Sequence, residues 1–511
     1  MLQKTLDTCF EIMQTSDVVR NERIDLAQVH AMNVLRLVMC DSELSKLTRN
    51  YIGTCFTLCL EQFSSPYFPI RNCAAMIFST LVSKAFGTTK CKAEGVQVNH
   101  LFAKEFFLRF PGLYSTLLER LQKAVDLLRK QEFDSVLYPI LSILSRIKTS
   151  DTFTMDPFRS LILKCGGSGL WKVREVASRT ICGLVQHYEI IDAITLCVDQ
   201  FSPDASPNLV HGIILQISEL HQFRDGIPPS KRSAFASQLL RLNDVWTVQK
   251  YSTARGVLLK IVNDVYLSAS DFDIDVEEEP CRLLCSSAIK CSFEMLRGSI
   301  STAFCPSYNI ETASFITFSN TLFFNENDLK GLIQVQDTTS MVSILRAVNT
   351  TNFNEYPKAL KKHILLTCSD IFNRKDFCPH LVEASCKILM MADNLLPFDA
   401  QVEFWVRKGG IPFVFLETLM RFASCILPFK PSVWRYIYEK AVECLDTTFP
   451  VSLRFAIATC LKTVSTEIVE KPYFFQYSIL LCKILQDDDD DVRNLAVEIA
   501  GYIMNSTVRY W

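Results

Sequence analysis

Val173-Arg174-Glu175-Val176-Ala177 shares an apolar-Arg-x-x-Ala core with Ile70-Arg71-Asn72-Cys73-Ala74 and Val492-Arg493-Asn494-Leu495-Ala496. Each stretch follows a break in the hydrophobic pattern and begins a helix after a turn. The third comes after the acidic run Asp487 to Asp491. In a hairpin of paired helices a small Ala lets the backbones approach, and an Arg with a neighbouring acid can bridge adjacent repeats. Acidic residues ahead of a helix suit the positive end of its dipole. Arg174, Glu175 and Arg493 are therefore the expected repeat-bridging residues.

Working outward, helical periodicity recurs along almost the whole chain. Leu26, Val29, Val34, Leu37 and Val38 fall on one stripe, with Gln28, Asn33 and Arg36 opposite. Similar stripes run from Leu113 to Leu128, Val136 to Ile147, Val173 to Val185 and Val433 to Leu445. They span about 12–20 residues and are joined by short breaks such as Ser64-Ser65-Pro66. Hairpins recurring about every 40–47 residues are the signature of HEAT or armadillo repeats, so roughly 11–12 helix pairs fit the chain. The expected fold is an all-α, HEAT/armadillo-like helical-repeat solenoid.

Composition agrees. The chain has 511 residues, 49% hydrophobic and 21% charged, which excludes a disordered polymer. With 16 Gly and 19 Pro, chain-turning residues are scarce, as long helices require. The 20 cysteines are scattered in apolar runs with no Cys-x-x-Cys pair, which points to free thiols in a reducing, cytoplasmic compartment. The stretch Ile411 to Phe429 carries Glu417 and Arg421, too polar to span a bilayer, so no membrane insertion is expected. Two regions break the helical pattern. Asp271 to Pro280 is an acidic loop, and Ser314 to Phe318 with Leu322 to Phe324 alternates as a short hairpin would. The expected organisation is a helical block over 1–269, an acidic loop and irregular insertion over 270–326, and a second helical block over 327–511.

Motifs for chemistry are few. The seven histidines are dispersed, with His30 and His211 in apolar helical settings that suit structural, hydrogen-bonded roles. Cys281, Cys285 and Cys291 form the densest thiol group, short of the four closely paired ligands of a zinc site. Leu161 to Lys164 followed by Cys165-Gly166-Gly167-Ser168-Gly169 admits two readings. One is a strand, glycine-rich turn and helix holding a nucleotide such as S-adenosylmethionine. The other is a turn ending one helix and starting the next. No metal and no cofactor are expected. Charge is more informative: net −2 overall excludes a nucleic-acid-coating chain, yet residues 71–130 carry ten basic side chains against four acidic. Arg71, Asn72, Lys84, Lys90, Lys92 and Arg109 are the candidate RNA- or partner-contacting residues, on a patch that a solvated helix face explains equally well.

The same residues carry a resemblance. Gln28-Val29-His30-Ala31-Met32-Asn33-Val34-Leu35-Arg36 resembles the "QVHAFNILR" stretch of the THADA family, named for thyroid-adenoma-associated protein. Ser65-Pro66-Tyr67-Phe68-Pro69-Ile70-Arg71-Asn72 resembles its "SPxWxVRN", with Phe68 in place of Trp, and Ala85-Phe86-Gly87 its "RxFG". Glu105 to Leu113 is similar to "EFFxRFPxL", Arg174 to Arg179 to "REMAARA", and His211 to Gln216 to "HGTLLQ". The matches cover about 25–220. The resemblance implies a large α-solenoid that is the non-catalytic subunit of a tRNA ribose 2′-O-methyltransferase. An FtsJ-like partner would supply the S-adenosylmethionine chemistry, at nucleotide 32 of the anticodon loop. The family's N-terminal solenoid and its "RRSAGLP"-like stretch have no counterpart here, so the chain reads as a C-terminal half, a shortened paralogue or an incomplete gene product. Two further readings stay open: a protein–protein adaptor solenoid without an RNA role, and a methyltransferase using Gly166 to Gly169.

Overall fold

A computed structural model describes residues 2–14, 26–41, 43–87, 90–92, 95–97, 100–130, 132, 134–150, 153, 155–222, 226–267, 278–298, 307–334, 338–350, 353–373, 378–391, 399–408, 411–426, 431–465, 468 and 471–508. These are overwhelmingly helical, and the chain divides into two compact units, Met1–Ala288 with Ser301–Cys305, and Ile289–Ile300 with Pro306–Trp511.

In the first unit, alternate helices stack on one another. One ridge pairs Ala27–Cys40 with Phe68–Phe86. A second run stacks Leu137–Leu144 against Trp171–Gly183, Trp171–Gly183 against Pro207–His221, and Pro207–His221 against Ser252–Val262, and Ser135 Oγ ties its start to the Phe63 carbonyl at 2.7 Å. The intervening helices form the other ridge: Ile52–Gln62 packs on Leu113–Arg129, that helix on Asp156–Cys165, and Ile190–Val198 on Arg232–Leu240. Because short turns reverse the chain between the two ridges over residues 137–262, Leu137–Leu144, Trp171–Gly183, Pro207–His221 and Ser252–Val262 run the same way. Their N-termini therefore share one edge of the unit. This is helical-repeat solenoid architecture: each hairpin buries its apolar stripes only against its neighbours.

Local sequence explains the elements. Pro follows the start of Phe68–Phe86 and opens Pro207–His221, positions where its missing N–H is harmless. Ser206 caps the latter helix by accepting from the Leu209 N–H at 3.2 Å. Gly87 ends Phe68–Phe86 with φ of 84°, a backbone that other residues rarely adopt. A small antiparallel pair, Lys90–Lys92 with Gly95–Gln97, follows. Leu101–Phe102 then pairs in parallel with Ile147–Lys148. Gly183 is needed here, since a Cβ on it would lie 2.5 Å from the Ile147 carbonyl oxygen.

The second unit repeats the scheme. Ser307–Ser319, Thr338–Thr350, Pro379–Leu389, Phe413–Ile426, Val451–Val464 and Asp490–Val508 pack in succession as one ridge. On the other side, Glu326–Gln334 packs on Lys358–Asn373, and Asp399–Arg407, Trp434–Cys444 and Phe474–Ile484 follow one another.

Three expectations need correction. In Ala27–Cys40 the buried face is Gln28, Ala31, Met32, Leu35 and Met39, while Val34 and Leu37 are exposed. That helix is apolar nearly all round, so periodicity leaves two candidate faces and packing chooses. The alternating Ser314 to Phe318 is helical, within Ser307–Ser319, and Thr321–Phe323 is a 3-10 turn rather than a second strand. Ala313, Ser314, Ile316, Thr317 and Phe318 are all buried there. The two hydroxyls are satisfied, Ser314 by the Ile310 carbonyl at 2.7 Å and Thr317 by Ser292 at 3.0 Å. A helix buried on most sides does not show a single stripe. The segment read as irregular between 270 and 326 thus carries Ser307–Ser319 and the helix Glu279–Leu296. The acidic stretch Asp271 to Glu277 lies outside the described residues.

Candidate functional site

The conserved geometry of the three motif helices is a folded-back arginine. Arg71 donates from Nη1 to the carbonyls of Ser65 (2.8 Å) and Pro66 (2.9 Å), and its guanidinium lies 5.9 Å from the Phe68 ring centroid. Arg174 donates from Nη1 to the Ser168 carbonyl at 2.7 Å and lies 5.8 Å from the Trp171 ring centroid. Arg493 donates to the Asp487 carbonyl and pairs with Asp490. In each case the arginine reaches the carbonyl six residues back and staples the turn that precedes its own helix. Three residues before Arg71 and Arg174 stands an exposed aromatic that covers the guanidinium.

Of the three residues expected to bridge repeats, Arg174 does so, while Glu175 and Arg493 make local contacts. Arg174 also donates from Nε to His211 Nδ1 at 3.2 Å, joining Trp171–Gly183 to Pro207–His221. Glu175 stays on its own helix, bound to Lys172 at 2.8 Å and Arg179 at 2.5 Å. Arg179 makes the crossing instead, with Nε 4.0 Å from Glu219. Arg493 likewise closes its own turn rather than reaching a neighbour. The long bridge in that region belongs to buried Arg454, whose Nε lies 3.1 Å from Asp487 and Nη2 2.7 Å from Asp488. Arg454 is the fourth residue of Val451–Val464, as Arg174 is of Trp171–Gly183, so helix position alone does not choose between a local carbonyl and the next repeat, whereas Arg179 reaches across from further along its helix.

His211 is buried, accepts from Arg174 and stacks on Trp171 with ring centroids 4.6 Å apart. Burial, and then the Arg174 charge, push its pKa down to about 4, so it is neutral at ordinary pH with the proton on Nε2. His30, by contrast, is exposed on its helix.

The glycine-rich stretch is an inter-helix turn. Asp156–Cys165 is a helix, not a strand. The N–H groups of Gly166, Gly167 and Ser168 donate to the carbonyls of Leu163, Lys164 and Cys165, each at 3.1 Å. They turn inward onto their own chain rather than outward to a phosphate. Gly166 packs against Gly212 so closely that a Cβ on Gly212 would lie 2.0 Å from the Gly166 carbonyl oxygen. Gln216 completes the seam by donating to the carbonyls of Ile162 (3.4 Å) and Leu163 (3.3 Å). The glycines and the His211-Gly212…Gln216 stretch therefore serve one close helix crossing.

The candidate cation patch is largely engaged. Arg71 is held by its turn, and its N–H donates to the Tyr67 carbonyl, because the helix starts at Phe68 rather than at Arg71. Asn72 is exposed, one turn inside the helix. Lys84 Nζ lies 3.3 Å from the Asp41 carbonyl at the end of Ala27–Cys40, a favourable place for a cation. Arg109 pairs with Glu105 at 2.7 Å. Lys90 and Lys92 stand in the strand Lys90–Lys92, and their side chains lie outside the described residues. Cys281, Cys285 and Cys291 are buried, and burial pushes the Cys285 thiol up to about 12, unsuited to a ligand thiolate. Among the described residues no group of three His, Cys, Asp or Glu is placed to hold a metal ion, and no helix is long and apolar enough to cross a membrane.

Comparison with known proteins bears on this region. The family model described as "THADA/TRM732, DUF2428" matches residues 1–69, and "Trm732, C-terminal TPR repeats" matches residues 71–220. Residues 1–69 and 71–220 thus resemble the THADA/Trm732 family. The tRNA (32-2′-O)-methyltransferase regulator trm732 of Schizosaccharomyces pombe is 31% identical over 276 residues, covering 49% of this chain and 18% of that protein. The tRNA (32-2′-O)-methyltransferase regulators THADA of Gallus gallus and Homo sapiens are 28% and 29% identical, each covering 42% of this chain and 12% of the relative. The chain thus matches less than a fifth of the length of these relatives. Among solved structures, yeast importin-beta (Kap95p) aligns with 99% of this chain and 69% of its own at 11% identity, with a TM-score of 0.46. The seam of Arg174, His211, Gly166, Gly212 and Gln216 lies inside the family-matched span.

Proposed function

We propose that this chain is a non-catalytic regulatory subunit that assists an FtsJ-like methyltransferase in 2′-O-methylation of nucleotide 32 of the tRNA anticodon loop. The observation that carries the reading is the match of residues 1–69 and 71–220 to the THADA/Trm732 models, together with relatives that are named regulators of that methyltransferase. The chemistry of the first unit supports it. Its histidines are structural or isolated, its glycine turn binds itself, and its buried thiols are held protonated. Stacked hairpins instead offer long continuous surfaces, which suits a protein that positions other molecules.

The test is association and cofactor binding measured together. The chain co-expressed with the FtsJ-like methyltransferase is expected to co-purify with it. The chain alone is expected to show no heat of binding with S-adenosylmethionine in calorimetry. Micromolar S-adenosylmethionine binding that Gly167→Asp abolishes would replace this reading with that of an enzyme. Failure to associate with the methyltransferase would leave the adaptor reading in its place.

A further inference from the structure

Three ridge helices of the first unit carry a large exposed aromatic in their first two residues. These are Phe68 (69% exposed), Tyr138 (41%) and Trp171 (46%). The Tyr138 and Trp171 helices pack together and run the same way, and a hydrogen bond between turns brings Phe68 to the same edge. The turns beneath them are tied together. Ser135 Oγ, in the turn before Tyr138, donates to the Phe63 carbonyl in the turn before Phe68, at 2.7 Å. Thr180 Oγ1 lies 3.4 Å from the Leu141 carbonyl and links the Tyr138 helix to the Trp171 helix.

Two of the three rings are braced from below. Arg71 supports Phe68, and Arg174 with His211 supports Trp171. A ring fixed on one face and open on the other loses little rotamer freedom when something stacks on it. Exposed Lys130 and Lys164 stand at the ends of the helices that lead into the second and third turns. Carboxylates of the same edge include Glu61, paired with Arg120 at 3.5 Å, Glu132, and Asp134, which is turned onto the Val136 N–H at 2.9 Å.

We propose that Phe68, Tyr138 and Trp171 form a stacking edge for unpaired nucleobases of an RNA strand, with Lys130 and Lys164 facing its phosphates. Sequence-tolerant single-strand binding combines these elements, aromatic faces for bases and cations for the backbone. Spacing selects the form of RNA. Packed helices stand about 8–10 Å apart, whereas bases within a duplex strand follow at about 3.4 Å. The rings of the packed Tyr138 and Trp171 helices therefore suit splayed bases of a loop, not a stacked helix. Phe68 and Trp171 are flanked by exposed Tyr67 and Leu170, and exposed Lys130 and Lys164 along the same edge add the charge that a wholly apolar docking face lacks. The inference rests on the RNA-linked reading above and names the surface for it.

The experiment measures the affinity of the full chain, alone and with its methyltransferase, for a fluorescent 12-nucleotide oligoadenylate and for an RNA duplex of equal length. Each of Phe68→Ala, Tyr138→Ala and Trp171→Leu is expected to weaken oligoadenylate binding roughly ten-fold, with duplex binding and methyltransferase association unchanged. Trp171→Phe is expected to retain most of the affinity. Absence of oligoadenylate binding by the wild type in both settings overturns the inference, as does an equal loss for duplex. Loss of methyltransferase association with RNA affinity intact assigns the edge to protein docking and also overturns it. If the wild type stacks RNA through these rings yet leaves methylation unaffected, the stacking edge stands and the regulatory reading falls.

Discussion

Arg174→Ala removes the group on which the central seam of the first unit depends. Arg174 is 7% exposed and has no carboxylate partner among the described contacts; burial lowers its pKa. Its charge is offset by the Ser168 carbonyl at 2.7 Å, His211 Nδ1 at 3.2 Å and the Trp171 ring. A hydrogen bond to a charged group contributes about 1.5–3 kcal/mol, and truncation leaves two acceptors behind, while the desolvation of the cation is relieved. The net expectation is a loss of about 2–3 kcal/mol. Stacked repeats unfold locally, so the assay is hydrogen exchange of Trp171–Gly183 and Pro207–His221. Their amides are expected to exchange roughly 30-fold faster for a 2 kcal/mol loss, with little change in the second unit. A double-mutant cycle with His211→Ala is expected to give a coupling of about 1 kcal/mol. Exchange within two-fold of wild type in both helices, together with zero coupling, would refute the seam.

Other consequences follow from neighbouring groups. His211 has a folded-state pKa of about 4, below the ordinary 6.5, so below pH 6.5 the unfolded chain binds the extra proton. Stability is therefore full above about pH 6.5 and falls by up to about 1.4 kcal/mol per pH unit towards pH 4, a decline that His211→Gln should remove in pH-dependent denaturation. Gly212→Ala, whose Cβ would meet the Gly166 carbonyl, is expected to cost about 3 kcal/mol or more. Gly169→Ala, with nothing within 4 Å, is expected to shift the urea midpoint negligibly. Arg179→Ala removes exposed contacts to Glu175 and Glu219 and is expected to cost under about 1 kcal/mol by thermal melting.

The fold was legible because a period of paired stripes survives local ambiguity. Ala27–Cys40 shows the limit: an all-round apolar helix fits the period whichever face is buried, and only its neighbours decide. Ser314 to Phe318 failed for a related reason, since burial on most sides removes the stripe by which a helix is recognised. The arginine motif marked helix starts correctly, but its partners were not readable. Arg174 meets His211 across 37 residues and Lys84 meets a carbonyl 43 residues earlier, and a carbonyl acceptor leaves no trace in side-chain identity. Gly166 and Gly212 offered the strongest available signal, two glycine-bearing stretches whose need for small size is mutual. The exposure of Phe68, Tyr138 and Trp171 had none, since an aromatic at a helix start is usually covered.

The most direct test of the proposed regulatory role is ribose methylation at nucleotide 32 in a reconstituted reaction. Unmodified tRNA, S-adenosylmethionine and the FtsJ-like methyltransferase are combined with and without this chain, and methylation is read at single-nucleotide resolution. The account predicts little product from either protein alone and a many-fold higher rate from the two together. Methylation by this chain without its partner, or an undiminished rate when the chain is left out, would contradict it.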